Sequence, residues 1–189
     1  MALNSSSDQY GTVAVTIHWL TAVLILIALL TGFRVAAAED VATEAALLRV
    51  HLPAAILVLV LTVVRVVWWL GIDDKPAPIA GALSAQQFIA RTVHLLFYVV
   101  VFGMIASGTG MMLASGALPA IFSHDATALP EFWRYRPRIP HGFGARLLIV
   151  LLIAHVAAAL YHHLRGDRVF GRMWFGRSPT SQDAADRAV

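Results

Sequence analysis

The sequence contains no cysteine. Disulfides, thiolate metal ligands, iron–sulfur clusters and covalent haem attachment through C-x-x-C-H are therefore excluded, and any redox centre must be held by histidine or methionine, or not covalently at all. Charge is scarce as well: 13% of the 189 residues are charged against 59% hydrophobic, and mean hydropathy is +0.73. That balance excludes an ordinary soluble domain and places the chain among integral membrane proteins. The apolar runs lack carboxylates that could balance a cation, which speaks against a metal transporter. A basic leader segment is missing too, and the first apolar run is too long for a signal h-region, so no cleavable signal peptide is expected.

What is present is four long apolar runs, at about 11–38, 45–70, 86–115 and 140–165. Hydrocarbon cannot satisfy backbone polar groups, so each run must be helical. The expectation is an all-α integral membrane four-helix bundle of up-down topology, with residues 1–189 as one domain. Glu39, Asp40 and Glu44 suit an exposed connector, GIDDKPAPIAG ends the first hairpin, and about 25 residues from Gly116 to Pro140 form a long loop before the last helix. The net charge of +3 and pI near 9.8 come from arginines that flank the apolar runs, so headgroups rather than nucleic acid explain them. Arg65, Lys75, Arg91, Arg165, Arg168, Arg172, Arg177 and Arg187 fall on the side of the termini, against Arg34, Arg49, Arg134, Arg136 and Arg138 opposite. This bias predicts both termini in the cytoplasm, with the RYRPR cluster as the exception.

Histidines supply the chemistry. His141 and His155 lie fourteen residues apart on the last helix, on one face and about 21 Å apart in depth. His162 continues the same stripe. His51 and Arg65 repeat the fourteen-residue step on the second helix, while His18 and His94 lie on the first and third. Sorted by depth, His51 and His141 share the outer level, and His18, His94, His155 and His162 lie toward the inner side. A low-spin haem needs two axial ligands from facing helices. The pair His51–His141 meets this at the outer level. At the inner level His18–His155 is preferred, with His18–His94 the rival; His94 then contacts a propionate or lines a quinone pocket. His124 and His163 read as solvated or interfacial. Arg65 either snorkels to headgroups or contacts a haem propionate, and Gly103, Gly108 and Gly110 serve helix packing or haem clearance.

The segments YGTVAVTIHWL, LLRVHLPAAILVLVLTVVRVVW, ARTVHLLFYVVVFGMIASGTG and HGFGARLLIVLLIAHVAAALYHHLRGDRVFGRMW cover all four runs, and the pattern H-x13-H-x6-HH is their most specific part. On these the chain resembles the bacterial cytochrome b561 family, within the wider group of di-haem b subunits of hydrogenases and formate dehydrogenases. The resemblance implies two b haems with axial ligands His18, His51, His141 and His155, and exchange of electrons with quinone. Some members look like superoxide oxidases that reduce ubiquinone, and His162 matches a position associated with the quinone site there. The expected activity is an inner-membrane oxidoreductase taking electrons from superoxide, or from a periplasmic redox protein, to ubiquinone. The alternative is a carrier or anchor subunit linking the quinone pool to a separate partner. Arg134, Arg136 and Arg138 would steer superoxide or bind headgroups, and His162 would deliver protons.

Overall fold

The computed structural model describes residues 2–77, 84–123, 129–166 and 169–175. Every regular element among them is helical: α1 (Thr12–Ala36), α2 (Val41–Gly71), α3 (Ser84–Ser115), the short α4 (Leu118–Phe122), a 3₁₀ turn (Phe132–Arg134), α5 (Arg138–Leu164) and the single turn α6 (Val169–Arg172). α1, α2, α3 and α5 have 25, 31, 32 and 27 residues and are apolar enough to cross a membrane. Even the shortest is about 38 Å long, which exceeds a hydrocarbon core of roughly 30 Å.

Polar punctuation sets the helix ends. α2 starts ahead of the hydropathic onset near Ala45 because Asp40 caps it, accepting a hydrogen bond from the Thr43 amide at 2.8 Å. Glu44, expected in a connector, therefore sits in the first turn of α2, where negative charge suits the helix dipole. α3 and α5 are followed by Gly116 and Gly166, with φ of 62° and 81°. Their amides donate back to the Met112 and His163 carbonyls at 3.0 Å. The stretch expected as a long loop before the last helix is partly ordered into α4 and the 3₁₀ turn. Arg49 of α2 holds α4, donating from Nε to the Ile121 carbonyl at 2.6 Å and from Nη2 to the Ser123 carbonyl at 2.7 Å. His124, Arg168, Arg177 and Arg187 lie outside the described residues.

α1 packs mainly on α2 and α3 mainly on α5, with lighter contact between α2 and α3. The bundle is thus two antiparallel hairpins set side by side. Ile25, Val58, Val100, Val101, Leu148 and Leu151, drawn from all four helices, form a buried apolar layer near the middle of each. Buried hydroxyls within the spans bond their own helix, Thr21 to the Ile17 carbonyl and Thr62 to the Val58 carbonyl, both at 2.6 Å, so neither hydroxyl is stranded.

The two ends differ. At the connector end, Leu48, Met112, Ala117, Ile121 and Phe132 make a second cluster under α4. At the terminal end, residues 2–11 fold back over the bundle. The Ser5 hydroxyl donates to Asp73 at 2.7 Å, Arg172 donates to the carbonyls of Asp8 and Ala77 at 2.8 and 2.7 Å, and Trp19 Nε1 donates to the Met173 carbonyl at 2.8 Å.

Candidate functional site

His141 and His155 project from α5 toward the other hairpin at two depths. At the connector level the ring centres of His51 (α2) and His141 (α5) are 6.2 Å apart. At the terminal level those of His18 (α1) and His155 (α5) are 6.3 Å apart. Two imidazoles bound to opposite sides of one metal ion at about 2.0–2.1 Å place their ring centres about 6.3 Å apart. Both pairs therefore have the spacing that a bis-histidine haem iron requires. Among the described residues no three His, Cys, Asp or Glu side chains form a metal-ion group, whereas a haem iron asks for two protein ligands.

The connector-level rings are held in the tautomer that ligation through Nε2 needs. His51 Nδ1 donates to the Ala28 carbonyl at 2.9 Å, with Thr31 Oγ1 at 3.3 Å. His141 Nδ1 donates to the Met104 carbonyl at 3.0 Å, with Ser107 Oγ at 3.2 Å. A carbonyl only accepts, so each Nδ1 carries its proton and each Nε2 presents a lone pair. Glycines let the helices come this close. A Cβ on Gly32 would lie 3.0 Å from His51 Cε1, and one on Gly108 would lie 3.2 Å from His141 Cε1. Beside this level an apolar groove of about 460 Å³ is lined by Leu26, Leu29, Leu30 and Phe33 of α1 and Ile149 of α5, with Arg34 at its edge.

These contacts form a repeat. Ala28, Thr31 and Gly32 cradle His51, and Met104, Ser107 and Gly108 cradle His141: carbonyl, hydroxyl and glycine at the same spacing in ALLTG and MIASG. Ten residues before each cradle stands a histidine, His18 in α1 and His94 in α3. In the second helix of each hairpin, fourteen residues after the cradled histidine, stand Arg65 and His155. The two hairpins therefore carry one layout, differing in that Arg65 replaces a histidine. Sequence reasoning missed both cradles and the repeat. The signal was there in [ST]-G placed thirteen residues after a histidine.

The terminal level is more crowded. His155 meets His94 at 5.7 Å and Phe97 at 5.6 Å, besides His18. His94 Nδ1 donates to its own helix at the Ala90 carbonyl, at 2.6 Å. Arg65 Nη1 lies 3.3 Å from His18 Nδ1, and its Nε is buried without a hydrogen-bond partner. His162 lies in the last turn of α5, half-buried, its ring 5.6 Å from that of Tyr161. At the connector end Arg134 pairs with Glu131 at 2.7 Å and Arg138 lies over the Trp133 ring at 3.0 Å. Gly110 faces Pro137 and Gly103 faces open space, so of the three α3 glycines only Gly108 gives clearance to a candidate ligand.

Four apolar spanning helices with imidazoles facing one another at two depths define an all-helical membrane protein suited to holding haem iron by histidine. The chain belongs to the prokaryotic cytochrome b561 family, whose sequence profile matches residues 9–176. It is similar to cytochrome b561 homolog 2 of Escherichia coli (strain K12), at 25% identity over 177 residues that cover 86% of this chain and 89% of that protein. No solved structure matches it. Membership makes the chain a haem-based transmembrane electron-transfer protein.

Proposed function

We propose that residues 1–189 form one di-haem domain that moves electrons across the bacterial inner membrane, from superoxide at the connector end to ubiquinone at the terminal end, with both termini in the cytoplasm. His51 and His141 would hold one b haem, and His18 and His155 the other, with His94 and Arg65 lining the second site. The observation that carries this reading is the pair of ring separations, 6.2 and 6.3 Å, at two levels of one bundle. Bound haem supplies one-electron exchange at iron. The chain does the rest: α5 spaces the two sites by about 21 Å along its axis, and the apolar layer between them keeps water out. Superoxide gives up one electron and leaves as oxygen. Ubiquinone takes two electrons and two protons, so two superoxide ions serve each quinol. Arg134, Arg136 and Arg138 raise the positive potential at the donor end, and His162 relays protons at the quinone end.

Stopped-flow mixing of the reconstituted holoprotein with superoxide tests this. Haem reduction should be fast, slow with added salt and lead to ubiquinol, and His162→Ala should keep both haems while slowing quinone reduction. Haem reduction no faster than in a salt-shielded control, with no quinol formed, refutes the oxidase reading. The second reading, a carrier subunit docked to a separate redox protein, is favoured by Trp133, which is 72% exposed at the connector end.

A further inference from the structure

Resting on the two-haem reading, we propose that Arg65 is an anion-binding residue of the terminal-level site: its guanidinium binds a carboxylate of the cofactor and gives up its contact with His18 Nδ1 as it does so. Three observations converge on it. A guanidinium only donates, so the 3.3 Å contact from Arg65 Nη1 makes His18 Nδ1 an acceptor and places the ring proton on Nε2. In that form Nε2 has no lone pair for a metal. Ligation through Nε2 moves the proton to Nδ1, with none gained or lost, and an N–H then faces the guanidinium, which must turn away.

The second observation is that the guanidinium has somewhere else to be useful. Its Nε is buried without a partner, and a buried charged donor left unmatched is costly. Among the described residues the spanning helices carry no carboxylate except Glu44, at the opposite end, and Asp73, the next along the chain, is occupied by Ser5 and Trp68. Among the described residues, those within electrostatic reach of Arg65 include Tyr10, His18, His94 and His155. The third is position. Arg65 stands where the other hairpin has His155, so it is placed toward the same inter-hairpin space. An anion with an apolar body, which a haem with its propionates is, fits all three.

The test uses full-length, cofactor-free protein carrying His141→Ala, so that only the terminal-level site remains. Haem and haem with methyl-esterified propionates are titrated separately by Soret absorbance. Esterification should weaken binding roughly 10–100-fold, the worth of charge-assisted hydrogen bonds. Adding Arg65→Gln should shrink that penalty to about twofold or less, while Arg65→Lys retains most of it. In the otherwise native holoprotein, Arg65→Gln should lower the midpoint potential of one haem, because a cation near iron favours the ferrous state. An equal ester penalty with and without Arg65 overturns the proposal. Should Arg65→Gln bind no haem, Arg65→Lys must restore both binding and the penalty, and failure to do so also overturns it. Failure of the two-haem reading looks different: the His141→Ala protein then binds no haem of either kind.

Discussion

Replacing Gly32 with alanine adds one carbon, 3.0 Å from His51 Cε1. Carbon atoms settle at about 3.5–4.0 Å, so the imidazole must retreat by roughly 0.5 Å or more. It cannot do so freely, because its Nδ1 is tied to the Ala28 carbonyl at 2.9 Å on the same helix as the new methyl group. A retreat of that size reaches the tolerance of about 0.5 Å within which a metal site keeps its geometry. Gly32→Ala should therefore weaken haem binding at the connector level by roughly 10–100-fold, the range seen when ligand-orienting contacts are disturbed. Gly108→Ala, at 3.2 Å from His141 Cε1, should do the same more mildly, and Gly103→Ala, with nothing within 4 Å, should do nothing. Alanine favours a helix over glycine by about 1 kcal/mol, so a loss cannot be blamed on the backbone. Pyridine-haemochrome stoichiometry and the low-spin ferric signals in electron paramagnetic resonance read the outcome. Two full haems with unchanged spectra in Gly32→Ala, or equal damage from Gly103→Ala, would refute the reasoning.

His141→Ala should lose the connector-level haem and His155→Ala the terminal-level one, whereas His94→Ala should keep both; haem stoichiometry decides, and two haems retained in either α5 variant count against the ligand set. The fold-back over the terminal end should depend on pH through Asp73. Burial alone would push its carboxyl up, but hydrogen bonds from Ser5 and Trp68 outweigh this and hold it below the usual carboxylate range. A folded-state value below the unfolded one, about 3.9, stabilises the folded form above that pH and loses its effect as pH falls through the folded value. Amide protection factors of residues 2–11, taken against intrinsic exchange at each pH, should accordingly fall as the pH drops below about 4, and Asp73→Asn should be less protected at neutral pH with no such step.

How much could be read beforehand depends on range. The four spans and the depths of the histidines follow from hydropathy and helical rise, and these are local properties. Helix ends were displaced where a single side chain decides them, as Asp40 does for α2, because hydropathy does not register a cap. α4 escaped notice because its order comes from Arg49, more than seventy residues away in sequence. The fold-back of residues 2–11 onto Asp73 and Arg172 was hidden for the same reason. The cradles were overlooked for a different one. A carbonyl has no sequence signature, so the residue holding His51 is an alanine, Ala28, that no motif would single out.

The repeated layout bears on why one histidine at the terminal level should not be a ligand. Matching the hairpins pairs His51 with His141, His18 with His94 and Arg65 with His155. At the connector level the two equivalent histidines face each other, so a single pairing suffices. At the terminal level the layout defines two equivalent pairings across the gap: His18 with His155, and His94 with Arg65. The first has the 6.3 Å separation of a ligand pair. The second lacks a lone pair on one side, since a guanidinium cannot bind a cation. His94 does meet His155, but at 5.7 Å, short of the span across a metal, and within one hairpin, where His18 meets Arg65 in the other. Arginine in place of histidine thus turns two equivalent candidate pairings into one, and leaves a cation beside it where a carboxylate-bearing cofactor would need one.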